Sequence, residues 1–195
     1  FCMLFIGGRE VMMRQERRFK GCWGYGTGTM SMFLSSFAIT IIALIVILGE
    51  DPWFEPQYAI PLLGMLLGNT MSGIAIAMDR LTHTAWEQRN VIEARLMLGE
   101  RWDEAIADYR RQSVRSGMIP IINAMAAAGI VSLPGMMTGQ ILAGAPPVEA
   151  VKYQILIMFL IAAGTGLGTQ AAVSIGARRL FDDRQRLCLD RLRQP

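Results

Sequence analysis

Four stretches of this chain are too long and too apolar to coat a water-soluble fold. No charged side chain occurs across residues 29–48 (20 residues), 58–78 (21), 117–148 (32) or 153–177 (25). A helix rising about 1.5 Å per residue needs roughly 20 apolar residues to cross the hydrocarbon core of a bilayer. Lipid offers the backbone no hydrogen-bond partner, so such stretches must be helical. The expected fold class is all-α: a polytopic transmembrane helical bundle with about four complete spans. Composition agrees, since 18% of residues are charged against roughly 25% in an ordinary soluble domain.

The exception is residues 80–116, a polar block between apolar segments. Thr84-Ala85-Trp86-Glu87 has the form of a capping box and predicts a helix start, and Gly99 predicts its stop. A second helix sets Trp102, Ala105, Ile106 and Tyr109 at i, i+3, i+4 and i+7, with Asp103, Glu104, Asp108, Arg110 and Arg111 off that stripe. A membrane protein that keeps one helical block on one face has something to dock there. The chain reads as one transmembrane domain, 1–195, with the cytoplasmic coupling helices 80–116 within it.

Charge sets the expected orientation. Placing 9–20, 80–116 and 178–195 on one side gathers every Lys and Arg there except Lys152. The opposite loops carry Glu50, Asp51, Glu55 and Glu149. The positive-inside rule makes the basic side, including the C-terminus, cytoplasmic. The chain opens at Phe1 in an apolar run, FCMLFI, read as entry midway through or just after an earlier span.

Several functions are disfavoured. A net charge of +3 gives no argument for nucleic acid. Cys2, Cys22 and Cys188 form no CxxC pair, against a disulfide framework or structural zinc. The glycines of GCWGYGTGT, 21–29, lack the GxxxxGK[ST] pattern of a phosphate loop, so the expectation is a transport subunit with no ATPase site of its own. The sole histidine, His83, lies near the boundary, and no nucleophile–base or paired-carboxylate set falls within a span. A passive channel is disfavoured because no span carries an ionised side chain from which to build a ring.

Within the apolar stretches, Gly64, Gly68 and Ser72 recur every four residues, as do Gly164 and Gly168, a spacing that lets membrane helices approach closely. Asn69 and Asn123 stand at membrane depth, where an unpaired amide is costly. They either bond between helices or touch substrate. The 32-residue stretch exceeds one span, and Pro134-Gly135 and Pro146-Pro147 imply a broken or re-entrant piece that must be buried in protein or line a wet cavity. There Met136, Met137 and Gln140 stand beside loosened backbone, as in the broken helices of transporters, although thioethers suit Cu(I) better than iron.

Glu93-Ala94-Arg95, followed after three residues by Gly99, resembles the EAA-type loop of ABC-transporter permeases. The Ile-Pro that normally follows soon after arrives only at Ile119-Pro120. Together with IPLLGMLLGNTMSG (60–73) and IPIINAMAAAGIVSLPGMMTGQILAGAPPVEAVKYQI (119–155), the chain resembles the small permease family of the bacterial iron exporter FetB and the plant aluminium-sensitivity proteins. The likeness covers nearly the whole chain. It implies a permease homodimer in the plasma (bacterial inner) membrane, paired with a cytoplasmic ATPase that holds ATP and Mg²⁺ and exporting iron or a related metal, or a nucleotide sugar. Glu93, Ala94, Gly99, Trp102, Ile106 and Tyr109 would couple to the ATPase. Asn69, Asn123, Pro134, Gly135, Met136, Met137 and Gln140 would line the substrate path. The reading from another class is a membrane scaffold that binds a soluble partner, which would not need the broken segment.

Overall fold

A computed structural model describes residues 23–43, 56–130, 135–182 and 184–192. Its helices are α1 (Trp23–Ile42), α2 (Pro56–Glu87), α3 (Arg89–Met97), α4 (Trp102–Ala105), α5 (Ala107–Ala127), α6 (Gly135–Leu142) and α7 (Pro147–Arg179), with a 3₁₀ turn at Leu189–Arg191. Among the described residues no strand occurs beyond isolated bridge positions, such as that between Phe181 and Leu187, so the described architecture is all-helical as expected.

Of the four expected spans, α2 and α7 hold helices long and apolar enough to cross a membrane, over Ile60–Glu87 and Pro147–Arg179. In α1 the apolar run Gly28–Ile42 is shorter, and its expected extension to Leu48 lies outside the described residues. The apolar part of α5 stops at Ala127, because Ala128 turns extended (φ −64°, ψ 128°) and Gly129 takes φ +82°. The uncharged 32-residue stretch is therefore broken: α5 ends, α6 is a separate short helix, and α7 starts with Pro147 at its first position.

α7 packs against α1, α2, α5 and α6. Glycine makes the closest crossings possible. A Cβ on Gly168 would stand 2.6 Å from Thr70 Cγ2 and 2.8 Å from Ser35 Oγ, and one on Gly164 would stand 3.0 Å from Leu66 Cδ2. One apolar cluster, around Ile39, Leu62, Leu66, Ile121, Ile157 and Leu160, fills the bundle away from the charged end. A larger one runs from Leu67 and Ile74 through Leu81 and Val173 to Ile92, Ile106, Leu180, Phe181 and Leu192. The charged block is thus continuous with the bundle's core rather than suspended beneath it.

Two expectations for that block are corrected. Thr84 does not start a helix: α2 runs unbroken to Glu87, and Thr84 is buried inside it. Met78, Leu81, Thr82 and Ala85 are all buried, so the stripe that packs α2 extends past the apolar boundary and overrides the local capping preference. The stripe from Trp102 to Tyr109 also spans two helices, α4 and α5, which meet at Ile106 (φ −104°, ψ 0°).

The segment after α7 is more ordered than its basic composition suggests. The Cys188 N–H donates to Leu180 O at 2.8 Å and the Asp182 N–H to Arg186 O at 3.0 Å, closing a small hairpin. The Arg191 guanidinium donates to the carbonyls of Arg179 (2.9 Å) and Phe181 (3.3 Å). Leu180, Phe181 and Leu192 are buried. Two of the three basic segments expected on one side therefore meet at one end of the bundle. The third, 9–20, lies outside the described residues.

Candidate coupling site

The charged end is built around Gly99. At φ +94° it adopts a backbone that side-chain-bearing residues rarely take. Its N–H donates to Leu96 O (3.1 Å) and the Glu100 N–H donates to Arg95 O (3.2 Å), the paired bonds of a Schellman motif. The predicted helix stop is therefore observed. The turn leaves Met97 and Leu98 at the apex, 85% and 84% exposed.

α4 is held at its start by two side chains. Glu104 accepts the Arg101 backbone N–H (3.3 Å), and Gln185 Oε1 accepts the Trp102 N–H (3.3 Å). Gln185 itself sits at φ +58°. The Trp102 ring lies 5.7 Å from that of Phe181, and Arg95 pairs with Asp108 across α3 and α5 at 3.7 Å. Ile92 and Ile106 are fully buried pegs. On α5, Arg110 Nη2 donates to Ser174 Oγ of α7 at 3.1 Å. The block is pinned to the bundle while its apex stays free.

The six expected coupling residues divide accordingly. Glu93, Ala94 and Gly99 are exposed on α3 and its turn. Ile106 is buried, and Trp102 and Tyr109 are half-buried against the core, so these three position the face rather than form it. Sequence reasoning missed Met97 and Leu98, whose signal was two large apolar residues directly before a helix-stopping glycine. It also missed a cleft of about 510 Å³ between α3 with its turn (Glu93, Leu96, Met97, Glu100) and the hairpin (Arg184, Gln185, Arg186, Leu187). The signal for the hairpin was Phe181, Leu187, Leu189 and Leu192, apolar residues spaced through a basic segment.

The expected pathway residues fall in two places. Asn69 is exposed on α2, and its amide donates to Met65 O of its own helix at 2.9 Å. Asn123 is exposed on α5. Below them α2 and α5 enclose a groove of about 670 Å³, lined by Ile76, Asp79, Arg80, His83, Gln112, Arg115, Ser116 and Ile119. By helical spacing Asn69 shares the α2 face of Ile76, two turns away, and Asn123 the α5 face of Ile119, about one turn away, while neither lines the groove itself. Met136 packs with Tyr153, Leu156 and Ile157 around a small apolar cavity. Gly135 opens α6, where Thr138 donates to its carbonyl (2.9 Å). Met137 is half-buried, and Gln140 Oε1 is buried without a hydrogen-bond partner. Pro134 lies outside the described residues. Among the described residues no group of three His, Cys, Asp or Glu side chains converges. His83 faces Glu87 at 3.2 Å along α2.

Residues 1–181 match UPF0014, described as an uncharacterised protein family, and the chain belongs to that family. It is 42% identical to a UPF0014 membrane protein of Synechocystis over 189 residues, 95% of this chain and 71% of that protein. It is 35% identical over 167 residues to the probable iron export permease protein FetB of Escherichia coli, covering 83% of this chain and 64% of FetB. It is 36% identical over 125 residues to the protein ALUMINUM SENSITIVE 3 of Arabidopsis thaliana, covering 64% of this chain and 45% of the plant protein. The chain thus spans about two thirds of its bacterial relatives and less than half of the plant one. No solved structure matches it.

Proposed function

We propose that this UPF0014 member is the membrane-spanning subunit of an ABC transporter that exports iron or a related metal, powered by a separate ATPase. The observation that best supports this is the build of the charged end. α2 and α5 each run without a break from the apolar bundle into the block that carries α3 and α4. Domain closure in an ATPase gripping the exposed apex would therefore pass into the bundle as rigid-body motion. ATP and Mg²⁺ belong to the partner, and this chain contributes no ATPase site. Four spans cross the plasma (bacterial inner) membrane with the basic end cytoplasmic. A second permease copy sits on the open α2–α5 face, where Asn69 and Asn123 line the path.

Iron as cargo draws on the name of FetB, and a related metal on that of the plant relative. A second reading, an anionic cargo such as a nucleotide sugar, draws on Arg80 and Arg115 in the α2–α5 groove. The deciding experiment is iron movement in proteoliposomes holding the full-length permease and its cognate ATPase. The expected result is ATP-dependent iron flux that is lost with a catalytically dead ATPase. Stimulated ATPase activity without iron flux would favour the anionic cargo. If the two proteins neither associate nor stimulate, a scaffold role replaces transport.

A further inference from the structure

We infer that the ATPase is gripped by a composite cleft, with α3 as one wall and the C-terminal hairpin as the other. This rests on the reading of the chain as an ABC permease and adds a surface that the EAA-like segment alone does not supply. The two walls differ in charge. Glu93 stands on α3 and Glu100 just past its Gly99 turn, with Arg184 and Arg186 on the hairpin. Among the described residues no ion pair links these four side chains. Exposed opposite charges gain little from pairing with each other in water, so both walls keep their charge available to a partner of complementary charge.

The hairpin is fixed in place by its own anchors. Arg191 ties it to the end of α7, Leu180 and Leu192 are buried beneath it, and the Gln185 amide braces α4 from a left-handed backbone. Left-handed conformations outside glycine persist only where surroundings enforce them, so the brace is a built feature. Between the walls, half-buried Leu96 and Leu187 form an apolar floor, and exposed Met97 stands at the lip. The cleft is also continuous with the Met97–Leu98 apex. Its occupant is an amphipathic element of the ATPase that seats an apolar side chain on Leu96 and Leu187, with a basic residue toward α3 and an acidic one toward the hairpin.

The test measures association of the full-length permease with its cognate ATPase in detergent. Three forms are compared: native, Met97→Asp, and the double variant Arg184→Glu with Arg186→Glu. Each variant is expected to weaken the affinity at least tenfold. If only Met97→Asp weakens it, the composite cleft is overturned and docking on α3 stands. If neither does, both the cleft and the docking reading fall. Tryptic cleavage at Arg184 and Arg186 of the native permease gives a check without substitution. Bound ATPase is expected to slow it at least tenfold, and an unchanged rate overturns the composite cleft.

Discussion

Gly164 and Gly168 on α7 share their four-residue spacing with Gly64, Gly68 and Ser72 on α2, yet the α7 pair and Gly68 meet opposite surroundings. The α7 pair is closed over by Leu66, Thr70 and Ser35, whereas a Cβ on Gly68 would meet nothing within 4 Å. The tight crossing of α2 is made one position off its stripe, at Gly73, where Gly117 of α5 comes so close that a Cβ there would stand 2.6 Å from the Gly73 carbonyl oxygen. Small-residue spacing specifies a helix face that permits close approach. It does not say whether the same chain supplies the neighbour.

Substitutions can break or sharpen this contrast. The largest effect is expected at Gly117→Val, whose side chain would meet the Gly73 carbonyl and, at 2.9 Å, Ala77 Cβ. Neither the backbone nor a Cβ can move aside cheaply, so the cost should reach about 3 kcal/mol or more. Thermal unfolding in detergent measures it, and a native-like midpoint would mean that the α2–α5 crossing is looser than described. Gly168→Ala places its methyl against Thr70 Cγ2 and Ser35 Oγ and should cost about 2 kcal/mol, seen as a smaller drop in the same midpoint. Gly99→Ala tests backbone rather than space, since nothing lies within 4 Å but φ is +94°. It should cost about 1 kcal/mol, seen as a still smaller drop in the same midpoint. Gly68→Ala should reverse the sign, stabilising the isolated chain by about 0.5 kcal/mol through helix propensity. Loss of a chemically cross-linked dimer in that variant would place a second copy on the open stripe, and a lowered midpoint would contradict its openness.

The same limit explains what was legible in the sequence. The helical class, the stop at Gly99 and the break within 117–148 follow from hydrophobic run length, glycine and proline, which act locally; the last span read from 153–177 in fact starts earlier, at Pro147. The stripe of Trp102, Ala105, Ile106 and Tyr109 was legible as a covered face, but its cover was not. It is sealed by Phe181 and its neighbours, some eighty positions away in the chain, and amphipathicity carries no address. Thr84 misled for a related reason. A capping preference of about 1 kcal/mol loses to the burial of Leu81 and Ala85 on a helix already anchored by its neighbours.

The clasp formed by Arg191 and the buried Leu192 follows α7 in the chain. Phe181, Leu187 and Leu192 therefore reach Trp102, Ile92 and Ile106 only after α7 has been delivered to the bundle. Until then the block between α2 and α5 lacks its lining, and α4 lacks the Gln185 brace at its first turn. Synthesis thus imposes an order: the surface around α3 and α4 is sealed only once α7 and the hairpin behind it have been made, so a nascent chain stalled before α7 leaves Trp102, Ile92 and Ile106 without their cover.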